Sequence, residues 1–303
     1  MHFVHAKSLL HNSGGLLGMN VYRGCTHGCI YCDSRSRCYG FTHPFEDIEV
    51  KRNAPALLEA ALRSRRKPCM IGTGSMSDPY MPCERELGLT RRCLELIGQY
   101  GFGTAIQTKS DLILRDLDLL EAINRKTKCV VQMTLTTWDP ALCRIVEPRV
   151  CNTQRRLEVL ADLRDRGIPT FVWLTPILPF LNDTEENVSS ILEASADAGV
   201  RGVVCFDMGM TLREGDRECY YAALDRHFPG LKARYIRSYG NAYELSSPNA
   251  TRLMALFRET CEARGMLSDP EACFRWMAEL PEKYEQTRLE LLPADEAESL
   301  ASL

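Results

Sequence analysis

The chain has 303 residues, of which 45% are apolar, 25% charged and 8% aromatic. This composition is typical of a globular protein and excludes a largely disordered chain, and the apolar runs are too short to cross a bilayer. Lys and Arg number 37 against 40 Asp and Glu, so the net charge of -3 gives no general signal for binding nucleic acid or membranes.

Apolar, β-branched segments alternate with amphipathic segments along most of the chain. The predicted strands are Leu17–Tyr22, Cys69–Gly72, Thr104–Thr108, Val130–Thr136, Thr170–Leu174 and Gly202–Phe206. The predicted helices between and after them are Ala54–Arg66, Arg85–Tyr100, Leu112–Arg125, Thr153–Arg166, Thr184–Ala198 and Arg213–Arg226. Strands that are apolar throughout indicate a parallel sheet covered by helices, hence an α/β fold. Six such units give either a partial (β/α)6 barrel or an open doubly wound sheet, with ligands at the C-terminal strand ends.

The pattern divides the chain into four predicted parts. Residues 1–15 form an N-terminal extension, and residues 16–240 form the domain of repeated strand–helix units. Residues 241–280 form a C-terminal helical extension, with helices over Ser246–Arg264 and Pro270–Leu280. Residues 281–303 are acidic and poor in apolar side chains, so we expect a loosely ordered tail.

Cysteine is the unusual residue, with 14 copies. This is above ordinary usage but below the proportion of a disulfide scaffold. The N-terminus lacks a cationic segment followed by an apolar one, so we expect no secretory signal and a cytoplasmic location, where disulfides are rare. The thiols are therefore expected to be buried apolar side chains, metal ligands or both.

Three of these cysteines, Cys25, Cys29 and Cys32, follow the first predicted strand in a loop with two glycines. Thiols at this spacing in a loop can converge on one inorganic centre. A structural zinc ion would need a fourth ligand, for which His27 is the nearest residue, and a ferredoxin would supply four thiolates to each cluster. Three thiolates on a four-iron, four-sulfur cluster would instead leave one iron open to a substrate or cofactor.

The spacing Cys25-x-x-x-Cys29-x-x-Cys32, with Tyr31 before the third cysteine, resembles the signature of the radical S-adenosylmethionine (SAM) superfamily. The segments GTGSMSDPYMPCERELGLTRRCLELI, QTKSDLILRDLDLL and TLTTWDPALCRIVEPR resemble its spore photoproduct lyase-like branch, which includes many uncharacterised proteins described as DNA-repair-photolyase-like. The resemblance covers residues 15–240.

This resemblance implies a partial barrel, a four-iron, four-sulfur (4Fe-4S) cluster on the three cysteines, and SAM bound to the open iron. It implies an electron donor of the flavodoxin or ferredoxin type. Reduction would cleave SAM to methionine and a 5'-deoxyadenosyl radical, which takes a hydrogen atom from the substrate. A nucleic-acid base or nucleotide-like molecule is the candidate substrate, from the resemblance and a local excess of Arg and Lys over residues 35–67.

Five residues are predicted to contact SAM. The resemblance places Tyr31 near the adenine and Lys109 at the cofactor carboxylate, whereas a core tyrosine and a surface lysine are the simpler explanations. Gly74 and Ser75 follow the second strand, where glycine lets the backbone approach a ligand. Thr134 ends the fourth strand and offers a hydroxyl, although a β-branched residue is ordinary in a strand.

The chain departs from the lyase at two positions. Ser75 stands where the lyase carries its cysteine hydrogen donor, and Asp33 stands where it carries a second tyrosine, so we do not expect repair of a thymine lesion by the same route. Cys83 and Cys205 lie near predicted strand ends as substitute donors, with burial as the simpler explanation, and Cys38 has no assigned role. The alternatives are an iron-sulfur binding or redox-sensing protein without SAM turnover, and a zinc-binding structural module.

Overall fold

The computed structural model describes residues 1–13 and 16–281. In chain order its strands are β1 (His2–Val4), β2 (Leu10–Ser13), β3 (Leu16–Met19), β4 (Tyr22–Arg23), β5 (Glu49–Lys51), β6 (Met70–Thr73), β7 (Gly103–Thr108), β8 (Cys129–Thr134), β9 (Thr170–Trp173), β10 (Gly202–Val204), β11 (Gly209–Thr211) and β12 (Glu244–Ser246). Its α-helices are α1 (Ala54–Ser64), α2 (Glu84–Leu87), α3 (Leu89–Gln99), α4 (Leu117–Lys126), α5 (Pro140–Val146), α6 (Thr153–Asp165), α7 (Glu185–Asp197), α8 (Asp216–His227), α9 (Leu231–Tyr239), α10 (Ala250–Ala263) and α11 (Pro270–Ala278).

The main sheet has seven strands in the order β10-β9-β8-β7-β6-β3-β2. The six strands from β3 to β10 run parallel, and β2 pairs antiparallel with β3 at one edge. The parallel strands are adjacent in the order in which they occur along the chain. This order has no reversal point, whereas a doubly wound sheet needs one, so the curled barrel is the correct alternative. The predicted partial (β/α)6 barrel with a C-terminal helical extension is confirmed.

All six predicted parallel strands are present, but three helices differ from prediction. The helix predicted over Leu112–Arg125 begins as a 3-10 helix over Asp111–Asp116, and the α-helix α4 starts only at Leu117. The helix predicted over Arg85–Tyr100 is two helices, α2 and α3, because Gly88 between them has a φ of +60° and ends the first. The helix predicted from Ser246 begins only at Ala250, and Ser246 belongs to β12. Pro248 explains this difference, since the residue before a proline is disfavoured in helical conformation.

Two small sheets and two helices were not predicted. β1, β5 and β4 form one sheet, and β11 pairs antiparallel with β12 in another. α5 was missed although Asp139 caps it by accepting a hydrogen bond from the backbone N–H of Ala141. α9 was also missed, and Tyr235 is its one fully buried residue.

The lower interior of the barrel is filled by apolar side chains that alternate with outward-facing ones along each strand. This layer is formed by Met70, Ala105, Val130, Phe171 and Val204. Cys273 and Met277 of α11 pack against it, and Lys128, the residue before β8, donates a hydrogen bond to the carbonyl of Glu279 at 2.8 Å. The second helix of the extension therefore closes the bottom of the barrel and leaves the C-terminal strand ends open.

No helix in residues 1–13 and 16–281 is both long and apolar enough to cross a membrane. The predicted acidic tail, residues 281–303, lies outside the described residues except for Pro281. The predicted division of the chain at residues 15, 240 and 280 stays a prediction.

Candidate cofactor site

The loop carrying the three cysteines follows β4 at the open end of the barrel. Gly24 opens it with a φ of +87°, and a Cβ at this position would lie 2.4 Å from the carbonyl oxygen of Phe45, so only glycine fits. The backbone N–H of Cys25 donates to that same carbonyl at 3.2 Å. The backbone N–H of Ile30 donates to the carbonyl of Val146, at the end of α5, at 3.0 Å. The loop is thus held on both sides by backbone contacts.

The three thiols and the five predicted SAM-binding residues line one cavity, which we call the cysteine cavity. These eight residues are Cys25, Cys29, Cys32, Tyr31, Gly74, Ser75, Lys109 and Thr134. The structure therefore brings together every residue that the sequence assigned to the cluster and to SAM. Their individual roles remain predictions.

The spacing of the sulfur atoms bears on which inorganic centre fits. A tetrahedral zinc ion with Zn–S bonds of about 2.3 Å would bring its thiolates to about 3.8 Å from one another. Within the described residues, the Sγ atoms of Cys25, Cys29 and Cys32 do not all lie within 4.8 Å of one another. In a four-iron cluster each thiolate binds a different iron, so wider spacing is expected. The three sulfur atoms are thus more widely spaced than a single zinc ion would hold them.

Burial raises the pKa of all three thiols, that of Cys25 to about 12 with a further contribution from Asp78. Lys109 opposes this rise at Cys29 and Cys32. Thiolate is the form that binds metal, so loading the site must release protons from these residues.

Asp78 ties the cysteine loop to the end of β7. Its buried carboxylate accepts hydrogen bonds from the backbone N–H of Tyr80, the hydroxyl of Thr108 and the backbone N–H of Lys109, each at 2.8 Å. The Nε2 atom of His27 lies 3.1 Å from it. Burial acts to raise the pKa of Asp78, but His27 and the backbone donors outweigh burial and lower it to about 2. Asp78 is therefore a structural anchor of the site.

Tyr31 is fixed by a buried ionic network that the sequence did not predict. Its hydroxyl donates to Glu147, and Arg156 donates to the same carboxylate at 2.5 Å. Arg156 is fully buried and also donates to the backbone carbonyl of Thr134 at 2.9 Å. Burial acts to raise the pKa of Glu147, but Arg156 and Lys109 lower it, so the carboxylate is ionised. An arginine in a helix normally lies on an exposed face, so burial of Arg156 was not expected from the sequence. Its partner Glu147 lies nine residues earlier in the chain.

Lys109 lies at the centre of these charges, and its ammonium is 5.9 Å from the centre of the Tyr31 ring. Burial acts to lower the pKa of Lys109, but Cys29 and Glu147 raise it overall, so the side chain is cationic. Gly74 has a φ of +103°, and a Cβ there would lie 1.8 Å from the carbonyl oxygen of Gln107. Close packing of the β6 end on β7 thus explains this glycine without a ligand.

A second cavity of about 550 Å³, the outer cavity, adjoins the first. The two share Tyr31, Cys32, Ser34, Ser75, Met76 and Lys109. On its far side the outer cavity is lined by Tyr39, Trp173, Phe206, Asp207, Thr211 and Glu244, among others. Ser75 lies on the shared boundary, whereas Cys83 and Cys205 are not among the described residues that line either cavity. Cys38 is exposed, and its Sγ is 3.3 Å from a guanidinium nitrogen of Arg213.

Solved structures with the same fold include spore photoproduct lyase. A point mutant of that lyase superimposes with a TM-score of 0.65 at 14% identity, covering 88% of this chain and 80% of the lyase. The lyase complexed with dinucleoside spore photoproduct gives a TM-score of 0.61 at 14% identity, covering 83% and 75%. At this identity the similarity shows the fold alone.

Similar sequences include uncharacterised proteins from a bacterium and an archaeon. A protein of Mycobacterium tuberculosis is 32% identical over 234 residues, which are 73% of this chain and 66% of the relative. A protein of Methanocaldococcus jannaschii is 32% identical over 169 residues, which are 55% of this chain and 62% of the relative. The chain thus spans just under two thirds of the length of these relatives.

A radical SAM Nalpha-GlyT isomerase of Pseudomonas phage M6 is 23% identical over 180 residues, covering 59% of this chain and 36% of the isomerase. The model of the Radical SAM superfamily matches residues 19–194, more than half of the chain. The matched segment contains the three-cysteine loop and the strand ends that line the cysteine cavity. The chain belongs to the radical SAM superfamily, and this membership implies a 4Fe-4S cluster, SAM and an electron donor.

Proposed function

We propose that this protein is an enzyme that cleaves SAM reductively at a 4Fe-4S cluster held by Cys25, Cys29 and Cys32. When bound, the cluster and SAM supply a one-electron reduction that yields methionine and a 5'-deoxyadenosyl radical able to take a hydrogen atom from a substrate. The observation that carries the proposal is the convergence of these thiols and the five predicted SAM contacts on one cavity in a radical SAM fold.

The residues around the thiols have complementary tasks. Lys109 supplies a positive charge for the SAM carboxylate, and its raised pKa keeps that charge across the physiological range. Tyr31 offers a ring beside the adenine, and Glu147 prevents the phenol from rotating away. Gly74, Ser75 and Thr134 complete the wall with backbone and hydroxyl groups. The buried surroundings exclude water, which protects a reactive intermediate.

The test is anaerobic reconstitution followed by reduction with dithionite in the presence of SAM. We expect about four irons per chain, a brown protein and formation of 5'-deoxyadenosine. Cys29→Ala should lose both the cluster absorption and the product, whereas Cys69→Ala, a half-buried cysteine outside both cavities, should retain them.

The same experiment separates the alternatives. A brown protein with four irons that forms no 5'-deoxyadenosine would favour an iron-sulfur binding or redox-sensing protein over the proposed enzyme. A colourless protein that retains one zinc ion would favour a structural zinc module.

The reaction type and the substrate are separate questions. A nucleic-acid substrate requires affinity that falls as salt concentration rises, because binding phosphates releases counterions. Active protein without salt-dependent affinity for single- or double-stranded DNA or RNA would remove the support for that substrate class. Ser75 on the boundary between the cavities is a poor hydrogen-atom donor, so we propose a reaction different from lesion repair by the lyase.

A further inference from the structure

The outer cavity is the place where a substrate would meet the proposed radical chemistry. It shares its inner wall, including Tyr31, Ser75 and Lys109, with the cysteine cavity. Its volume of about 550 Å³ lies within the usual range for small-molecule sites. A molecule bound there would contact whatever occupies the cysteine cavity.

An aromatic cluster forms part of the far side of the outer cavity. The ring of Phe206 lies 6.0 Å from that of Trp173 and is stacked 6.1 Å from that of Phe274, measured between centroids. Phe274 comes from α11 and its ring lies against both other rings. Phe206 is nevertheless 59% exposed, which is high for a phenylalanine held by two aromatic neighbours. A supported ring with a free face is suited to stack against a planar group.

The charged groups around this cavity are mostly carboxylates. Asp33, Asp207 and Glu244 line it, against the single ammonium of Lys109 on the side shared with the cysteine cavity. Arg213 lies 3.4 Å from the Asp33 carboxylate and offsets part of its charge.

The two carboxylates on the far wall differ in their partners. The Asp207 carboxylate is oriented by hydrogen bonds from the backbone N–H of Met208 at 2.8 Å and the hydroxyl of Ser246 at 2.5 Å. Within the described residues, the exposed carboxylate of Glu244 has no hydrogen-bond or ion-pair partner. The far wall therefore repels anions and accepts hydrogen bonds.

We infer that the outer cavity binds a planar aromatic molecule that carries a cationic or N–H donor group, with its ring on Phe206 and its donor group toward Asp207 and Glu244. This inference rests on the proposed function only in taking the outer cavity as the substrate site. An anionic group such as a phosphate would have to remain outside the carboxylate wall. A nucleic-acid substrate would thus present a base to this cavity and keep its backbone at the surface.

The test compares three probes that share one ring and differ in charge: tryptamine, indole and indole-3-acetate. Binding is measured by isothermal titration calorimetry on the full-length reconstituted protein without reductant, so no result depends on SAM cleavage. We expect tryptamine to bind about tenfold more tightly than indole-3-acetate, with indole between them. Phe206→Ala should weaken all three by about three- to tenfold, because each loses the same stacking contact.

Glu244→Gln should reduce the preference for tryptamine over indole-3-acetate to about threefold and leave indole unchanged. The matched controls are Phe3→Ala and Glu86→Gln, an exposed phenylalanine and an exposed glutamate away from both cavities, which should change nothing. Equal or tighter binding of indole-3-acetate would overturn the inference. Unchanged affinities in Phe206→Ala, or no saturable binding of any probe at millimolar concentration, would overturn it as well.

Discussion

At the residue scale, the buried ion pair of Glu147 and Arg156 supports the cysteine cavity. Both side chains are buried, and together they connect the Tyr31 hydroxyl to the backbone carbonyl of Thr134. Breaking one half of a buried pair leaves the other charge uncompensated, which is more costly than losing the pair's mutual attraction. The ion pair therefore contributes both to the stability of the fold and to the position of Tyr31, a predicted SAM contact.

Glu147→Gln should lower the free energy of unfolding by about 3 kcal/mol, because Arg156 would keep a buried charge without its partner. It should also weaken SAM binding to the reconstituted protein, because Tyr31 loses the carboxylate that accepts its hydrogen bond and Lys109 loses a neighbouring negative charge. Urea unfolding and equilibrium dialysis with SAM measure the two effects. Glu158→Gln, on an exposed glutamate paired with Arg155, is the control and should stay within about 0.5 kcal/mol. If the midpoint of urea unfolding were the same for Glu147→Gln and the wild type, the ion pair would not contribute to stability as predicted.

At the element scale, α11 packs against the inward-facing side chains of the strands, whereas α1, α3, α4, α6 and α7 pack against the outward-facing ones. Cys273 and Met277 contact the inward-facing layer of the strands, and Phe274 supports the aromatic wall of the outer cavity. The helix is short and its opposite side is exposed, so its attachment depends on a few apolar contacts and on hydrogen bonds from Lys128.

Met277→Ala should destabilise the protein by about 2–5 kcal/mol, since a fully buried methionine leaves a cavity in the barrel. Local detachment of α11 should expose Cys273, whose thiol is buried and whose pKa burial raises to about 11. The measurement is the rate at which Cys273 reacts with a thiol reagent under native conditions, followed by peptide mass spectrometry. Arg275→Ala, on the exposed side of the same helix, should change neither quantity. Equal Cys273 labelling in Met277→Ala and wild type would mean that α11 does not depend on this contact.

At the scale of the whole molecule, the cysteine loop joins parts of the chain that are far apart in sequence. It is hydrogen-bonded to Phe45 on one side and to the end of α5 on the other, and Arg149 donates its backbone N–H to the carbonyl of His27 at 3.1 Å. A group that binds the folded loop stabilises the folded state by mass action.

Removal of the cluster with a chelator should therefore lower the melting temperature by several degrees, and anaerobic reconstitution should restore it. Differential scanning calorimetry of the two forms measures the change. Cys29→Ala should melt at the same temperature before and after reconstitution, because it lacks one of the three proposed ligands. A stabilisation of that variant equal to the wild type's would contradict the ligand assignment.

Local patterns in the sequence were sufficient for most of the fold. The six parallel strands are continuous apolar segments, and their strict alternation with amphipathic helices allowed only two arrangements of the sheet. The three-cysteine loop was identified for the same reason, since its three cysteines and two glycines lie within nine residues, Gly24 to Cys32. The predicted SAM contacts could be placed together because the carboxyl ends of parallel strands share one edge of the sheet.

Tertiary structure decided what depends on contacts between distant residues. The sequential strand order selected the barrel over the doubly wound sheet, and the inward packing of α11 is not visible in an ordinary amphipathic pattern. In the sequence Arg156 resembles a surface residue. In the fold it is buried and paired with Glu147, which follows α5. The outer cavity combines Phe206 and Glu244 from separate elements, so its aromatic and acidic character arises only on folding. Local spacing in the sequence determines the strands, the helices and the cysteine loop. The burial and the electrostatic surroundings of a side chain depend on which distant residues the fold brings into contact.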